Sequence, residues 1–494
     1  MGEGASNSGE SFFSLRFSRG AAINASLAAA SGVLASLAFP PYELWPFAWI
    51  ALVPLCIALR RTHAVRASGW LALLFGIVFF SLTLRWLSAI FGTGLIGVSL
   101  LASLPLVLFG LAYRFASARS SKIALMLMTP VLWLAVDWLR CDGWYFRFSW
   151  AQLGFTLTPC GWGLRIYPLL GVYGATFLIV LVNAAITAAL DSKLDRRSRG
   201  LALILAGMTV GSICLAACFV RSPISGNELT VRAVQDESGD LETLKELTLK
   251  PGEPALIVWP EYSVSEYPLS RPALLAELRE VARDSRGVVI VGCKEHAPRN
   301  VRCDWFRRRT MADGLFYNTA LLIGPQGEVL GTYHKAHPIQ MFSDGVPGGA
   351  YPVFATPAGP VGVAICYDFD FASCPLNLVR NGAELIAVPT FDPADWGALQ
   401  HFQHARMAQA RAAEVGRWVV RATSSGVSQI IDPRGRVTGS IAEPVSGQLT
   451  RSAACVTYLT PYCRATFVLP YLCVGTSVIW LAYLGFRRSA RNSD

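Results

Sequence analysis

A chain of 494 residues that is 53% hydrophobic and only 15% charged, with a mean hydropathy of +0.42, is too apolar to be solvated by water throughout. The net charge of +10 does not point to nucleic acid, because Lys and Arg fall in short groups between apolar runs and not along one basic face. The twelve cysteines form neither a repeated CxxC pair nor a Cys/His cluster, which argues against a zinc site or a disulfide framework; Cys214, Cys218 and Cys473 lie in apolar runs as packing residues.

A helix crossing a bilayer needs about 20 mainly apolar residues, because hydrocarbon cannot satisfy backbone polar groups. Such runs lie at 22–39, 44–60, 68–89, 94–116, 123–140, 164–190 and 200–220, and again at 466–486 after a long polar interval. The first reads as a retained anchor, since Phe39-Pro40-Pro41-Tyr42 leads into the next run without a small-residue cleavage site. Basic residues occupy alternate loops: Arg16 and Arg19; Arg60, Arg61 and Arg66; Arg114, Arg119 and Lys122; Lys193, Arg196, Arg197 and Arg199; Arg487, Arg488 and Arg491. The opposite loops hold few, chiefly Arg140 and Arg147 around 141–163. The positive-inside rule then implies cytoplasmic tails at 1–21 and 487–494, a membrane domain at 22–220, an extracytoplasmic domain at 221–465 and a last span at 466–486. A seven-span alternative lays the first run at the interface and reverses the N-terminus, but keeps 221–465 outside.

Segment 141–163 is crowded with Trp144, Tyr145, Phe146, Phe148, Trp150 and Trp162. Two readings stand: an aromatic belt at the lipid–water boundary, or a site where lipid is admitted. Asp137, inside a span, is expected to face the bundle interior or the outer surface.

From about 225 to 465 short aliphatic runs alternate with turns and helical patterns. Strands are expected at Leu229–Val234, Ala255–Trp259, Gly287–Val291, Thr319–Ile323, Val361–Cys366, Leu385–Pro389, Trp418–Ala422 and Ser428–Ile431. Helices are expected at Arg271–Ser285 and Gln400–Val415, and turns at Pro325-Gln326-Gly327 and Pro433-Arg434-Gly435. The alternation implies a layered α/β domain with reactive groups at strand ends. Three strand ends carry them: Glu261, Lys335 and Cys366. A thiol attacks a carbonyl only as the thiolate, so Cys366 needs a base such as Glu261. Lys335 and a backbone N–H following Cys366 are suited to the oxyanion that attack creates.

Val258-Trp259-Pro260-Glu261, Tyr317-Asn318-Thr319-Ala320 with Tyr333-His334-Lys335, and Gly362–Asp368 resemble the Glu, Lys and Cys motifs of the nitrilase, or carbon–nitrogen hydrolase, superfamily. That resemblance implies an α-β-β-α sandwich and a Glu261–Lys335–Cys366 triad. It narrows to the apolipoprotein N-acyltransferases through Leu37–Pro46, Gly171-Val172-Tyr173-Gly174, Gln400–Met407 and Arg421–Val427. The expected fold is therefore a polytopic helical membrane domain of about eight spans plus a nitrilase-like domain. Where that family carries a further Glu beyond the Lys, this chain has Asp344, the candidate second carboxylate; Asp368 stands where Glu commonly follows Cys-Tyr. Trp259, Tyr367 and Trp396 are further candidates for positioning substrate. The stretch 294–316, with Arg299, Arg302, Arg307, Arg308 and Arg309, reads either as a solvated insertion or as a contact with anionic head groups.

The resemblance implies a monomeric enzyme of a bacterial inner membrane, its catalytic domain on the periplasmic side. A phospholipid would donate an acyl chain to Cys366 as a thioester, and a diacylated lipoprotein would accept it at its N-terminal amine. No metal or organic cofactor is expected. Two alternatives are a membrane-tethered amidase or acyltransferase with another acceptor, and a non-catalytic membrane protein with a degenerate nitrilase-like domain.

Overall fold

The computed structural model describes residues 19–491 apart from 221, 299, 302, 312, 313 and 442–444, with backbone alone at 306, 310 and 488–491. Arg16, Arg299 and Arg302 lie outside the described residues, as do the side chains of Arg488 and Arg491. Seven described helices are long and apolar enough to cross a membrane: Arg19–Leu37, Val65–Thr83, Leu87–Ser117, Lys122–Gly143, Gly163–Ala189, Arg196–Phe219 and Thr466–Arg487. The apolar run at 44–60 is not one helix. It forms a 3-10 turn, Trp45–Trp49, and a separate helix, Val53–Arg61. Two prolines explain the break: Pro46 and Pro54 each sit in the first turn of their element, and a proline ring excludes the carbonyl of the residue four before it.

The broken segment still runs the full height of the bundle. At one end Glu43 pairs with Arg406 of the outer domain at 2.7 Å, and at the other Arg60 pairs with Asp191 beyond the end of Gly163–Ala189. Backbone groups freed by the break need partners at membrane depth. Fully buried Asn183 supplies two of them: its Oδ1 accepts from Leu52 N–H at 2.8 Å and its Nδ2 donates to the Ala48 carbonyl at 2.9 Å. The Ser31 hydroxyl donates to the Ala51 carbonyl.

The helix Gly163–Ala189 kinks at Gly171, whose φ is +70°. Only glycine fits, because a Cβ there would lie 2.5 Å from the Tyr462 ring and 2.9 Å from Glu414 Oε1. The kink frees Val172 N–H, which donates to Glu414 of the outer domain at 2.6 Å. Asp137 faces the bundle interior: Arg140 donates to it at 2.8 Å and Gln152 at 3.2 Å. Arg140, itself buried, also donates to the carbonyls of Phe148 and Trp150 at 2.8 and 2.7 Å, so this pair shapes the aromatic segment that follows.

The outer domain has two six-stranded sheets packed face to face. One holds β1 (Asn227–Gln235), β2 (Leu256–Val258), β3 (Val288–His296), β4 (Phe316–Ile323) and β5 (Val329–His334). The other holds β6 (Val353–Thr356), β7 (Gly359–Val363), β8 (Leu385–Thr390), β9 (Trp418–Thr423), β10 (Gln429–Ile431) and β11 (Val437–Ser440), while β12 (Gly447–Cys455) returns to the first. The orders are β12-β1-β2-β3-β4-β5 and β11-β10-β9-β8-β7-β6. Alternation along each strand decides the layers. Leu256, Val258, Val288, Ile290, Leu385, Ala387 and Val420 point between the sheets. Ile257, Val289 and Val291 meet helices Leu241–Leu249 and Pro272–Ser285, whereas Ile386 and Val419 meet Ser373–Arg380 and Ala398–Val415. The turns at 325–327 and 433–435 join the β4–β5 and β10–β11 hairpins.

Asn183→Leu should strand two buried backbone groups, each worth about 1–3 kcal/mol, and lower the unfolding midpoint of the detergent-solubilised protein accordingly. A midpoint equal to the parent's would show that Asn183 does not hold the broken span.

Candidate active site

The three reactive side chains stand just beyond the ends of β2, β5 and β7. Glu261 follows β2 in a loop that crosses β3 at Gly292, where a Cβ would come within 2.4 Å of the Pro260 carbonyl and 2.7 Å of Glu261 Cα. Lys335 follows β5 directly, its N–H donating to the Asn318 carbonyl at 2.8 Å. Cys366 has φ +50°, left-handed backbone that a side-chain-bearing residue adopts only when its surroundings impose it. It opens a 3-10 turn, Cys366–Asp370, so the Tyr367 N–H lies in the first turn, where backbone donors have no partner within the helix.

Lys335, 1% exposed, donates from Nζ to Glu261 Oε1 and to Asp344 Oδ2, both at 2.8 Å. Asn318 donates to Glu261 at 2.5 Å and to Asp344 at 2.9 Å, and the Tyr262 hydroxyl donates to Asp344 at 2.8 Å. Asp344 also accepts from Ile339 N–H at 2.7 Å, which bends the loop after β5 back over Lys335. Phe391 bridges base and thiol: its N–H donates to Glu261 Oε2 at 2.8 Å, while its carbonyl faces Cys366 Sγ at 3.9 Å.

Burial alone would lower the Lys335 pKa, but Asp344 and Glu261 more than offset it and hold the ammonium well above the usual lysine range. Burial raises Glu261 against the pull of Lys335, with Asp344 adding to the rise. Burial also pushes the Cys366 thiol far up; Glu261 raises it further and Lys335 opposes. The resting site is therefore a thiol beside a carboxylate of raised basicity, with a fixed cation at hand. That set can take the thiol proton as the sulfur attacks and neutralise charge growing on a carbonyl oxygen.

Cys366 lines a largely apolar cleft. The helix Leu87–Ser117 lines it too, through Leu87, Ile90, Phe91, Val98 and Leu101, together with Trp86, Phe146, Phe148, Trp150, Met341, Phe342, Tyr367 and Trp396. Trp396 packs against Phe342, Phe391 and Trp86 with ring centroids 5.9, 6.1 and 6.4 Å apart. Tyr367 donates to the Arg147 carbonyl at 3.2 Å. The helix that closes the cleft turns Ile96, Leu100, Leu104 and Leu108 outward, where lipid would lie.

Residues 31–185 match the apolipoprotein N-acyltransferase N-terminal domain, and residues 232–450 match carbon-nitrogen hydrolase. The chain belongs to the apolipoprotein N-acyltransferase family. It is similar to the apolipoprotein N-acyltransferase of Geobacter metallireducens, 25% identical over 94% of this chain and 95% of that one. It is likewise similar to those of Azotobacter vinelandii (28%; 94% and 96%) and Methylococcus capsulatus (29%; 80% and 84%). Among solved structures it is similar to an amidase from Nesterenkonia sp., 21% identical over 49% of this chain and 94% of that one, with a TM-score of 0.35. A carbon-nitrogen hydrolase from Helicobacter pylori gives 17%, 50%, 93% and 0.38.

Two candidates sit elsewhere than expected of this family's site. Trp259 does not touch substrate space: it is fully buried in the layer between the first sheet and its helices, its indole N–H donating to Thr248 at 2.8 Å. Asp368 is not a second carboxylate of the triad, because its oxygens are taken up by Tyr333 at 2.8 Å, by Ile365 N–H at 3.1 Å and by His337, whose N–H donates at 2.6 Å. Against the upward push of burial, the His337 bond and charge hold its carboxyl below the usual range. Asp368 thus ties the loop after Lys335 to the turn that carries Cys366.

A buried network beside the sulfur escaped the sequence reading. His404 pairs through Nδ1 with Asp392 at 2.8 Å and through Nε2 with Asp370 at 3.2 Å; Arg421 also pairs with Asp392, and the Trp150 indole donates to Asp370 at 2.6 Å. One ligand atom each from Cys366, Asp392 and His404 lie within 4.8 Å of one another, the kind of grouping that can hold a metal ion. Both imidazole nitrogens already face carboxylates, so the set reads as an ion-pair lattice. Gln400–His404 was the signal, at four-residue helical spacing.

Burial would lower the His404 pKa, but Asp392 and Asp370 outweigh it and carry it from 6.5 up to about 9. A folded-state pKa above the unfolded one contributes stability that is complete below about pH 6.5 and is lost as pH rises through about 9. The parent should therefore lose on the order of 3 kcal/mol across that window. Unfolding midpoints from pH 6 to 10 check this: His404→Gln should start lower and lack the step, and an identical decline in both proteins would assign it to other groups.

Proposed function

We propose that this chain transfers an acyl chain from a membrane phospholipid, through a thioester on Cys366, to the N-terminal amine of a diacylglyceryl-cysteine apolipoprotein. The observation that carries the reading is the cleft: Cys366 shares one apolar cavity with a membrane helix whose other face is exposed and apolar. A soluble amidase has no use for such a helix. The basic ends of the bundle, among them Arg60, Lys122 and Arg196, lie opposite the catalytic domain, which supports an inner-membrane protein working on the periplasmic side. No step needs a second copy of the chain.

In the first half-reaction Glu261 accepts the Cys366 proton as sulfur attacks the ester carbonyl. Lys335 and the Tyr367 N–H face the oxyanion, and the C–O bond breaks as Glu261 returns the proton to the departing lysophospholipid. In the second, the lipoprotein amine attacks the thioester, Glu261 takes its proton, and the C–S bond breaks to regenerate the thiol. Asp344 holds Lys335 charged and fixed through both. Trp396 and Tyr367 line the path of the acyl chain.

Incubation with phospholipid and a diacylated lipopeptide should yield an N-acylated peptide and a trapped Cys366 thioester, both read by mass spectrometry. Cys366→Ser should abolish both, and Glu261→Gln should prevent the thioester; Lys335→Met should slow its formation by ~10²–10³. Release of free fatty acid alone would favour an amidase-like hydrolase, and an unlabelled Cys366 would favour a non-catalytic protein.

Asp344→Asn leaves Lys335 with one carboxylate instead of two, so transfer should fall by more than roughly tenfold, about 1.4 kcal/mol. Asp344→Glu should recover part of it. Parental rates in Asp344→Asn would remove Asp344 from the site.

A further inference from the structure

A second cavity lies between the ends of two membrane helices and the β10–β11 turn. Its lining includes Arg165 and Pro168 from Gly163–Ala189, Ala217 from Arg196–Phe219, Ser222 just beyond it, and Arg434 and Arg436 from the turn. None of these lines the cleft at Cys366.

Three guanidinium groups converge here, and among the described residues none is paired with a carboxylate. Arg434 donates from Nε to the Ser222 carbonyl at 3.1 Å, and Arg165 lies over the Trp162 ring at 5.4 Å. Asp432, the nearest acid in the chain, is spent on the turn itself, accepting the N–H groups of Arg434 and Arg436 at 2.8 and 2.9 Å. Positive charge is thus gathered without its counter-charge. A second, independent feature points the same way: Ser222 is 1% exposed, and its hydroxyl has no hydrogen-bond partner. A buried hydroxyl left so is costly, and a ligand oxygen would give it a partner.

The depth of the cavity selects the ligand. Trp162, half exposed, lies under the Arg165 guanidinium, and Leu215 and Phe219 are 63% and 82% exposed on the adjoining helix, as side chains in lipid are. A molecule seated here has an anionic head among arginines and an apolar body beside Leu215 and Phe219. Arginine binds phosphate oxygens in pairs, with geometry that lysine lacks. We propose that this cavity binds the phosphodiester of an anionic phospholipid of the outer leaflet, distinct from any lipid reacting at Cys366. Such a lipid would pin the β10–β11 turn to the membrane helices.

The test uses the full chain in detergent, titrated with phosphatidylglycerol and read by native mass spectrometry. Arg165→Gln combined with Arg436→Gln removes two charges whose side chains make no hydrogen bond in the structure, so folding should survive; alkylation of Cys366 at the parental rate verifies it. The parent should retain one phosphatidylglycerol at least tenfold more tightly than this variant, less so as salt rises. Ser222→Ala, uncharged and nearly isosteric, should weaken retention several-fold. Equal retention by parent and both variants would overturn the proposal. Displacement of the lipid by inorganic phosphate at equal concentration would also overturn it, because the site would then recognise a free anion.

Discussion

A helix that covers one side of a soluble sandwich ordinarily keeps a face in water, and Ala398–Val415 keeps almost none. It is the outer layer of the second sheet and also the surface on which the membrane bundle rests. Polar side chains make both contacts specific. Gln403 accepts from the Trp86 indole at 3.0 Å and donates to the Thr83 carbonyl at 2.8 Å, Arg406 grips Glu43, and Glu414 serves both Val172 N–H and Arg411 at 2.6 Å. Gln403 and Glu414 are buried polar groups whose loss would leave their partners unsatisfied, while the Arg406–Glu43 pair is partly exposed. These bonds fix where Cys366 stands relative to the membrane helices.

The same economy governs the site. Lys335 is withdrawn from water at a desolvation cost of several kcal/mol, which only well-placed opposite charge offsets. Two carboxylates and Asn318 do so, and the Lys335–Glu261 pair simultaneously sets the basicity of Glu261. Asp344 serves although its side chain is short, because Ile339 N–H draws the loop inward to meet it.

What the sequence disclosed was whatever local chemistry encodes. Alternation revealed the central strands, and three separated strand-end motifs pointed to Glu261, Lys335 and Cys366, which the structure brings together. Trp259 misled because a motif records proximity in the chain, while strand parity decides which layer receives the ring. Asp368 misled for a similar reason: its partners Tyr333 and His337 come from a segment about thirty residues earlier. The cleft was legible only in pieces, Phe146, Phe148, Trp150, Tyr367 and Trp396 among them, since its walls come from five distant segments. The prolines at 46 and 54 were visible signs of a broken span, but hydropathy averages over them. The positions of Asn183 and Ser31 show how the break is tolerated.

That repair has a consequence for biogenesis. The Leu52 and Ala48 backbone groups find their partner 131 and 135 residues later in the chain. When 45–61 emerges during synthesis, the side chain that completes it does not yet exist. Hydrocarbon offers those groups nothing in the meantime. The hydrogen bonds of this segment are completed only once Gly163–Ala189 arrives, so the second apolar run of the bundle settles out of chain order.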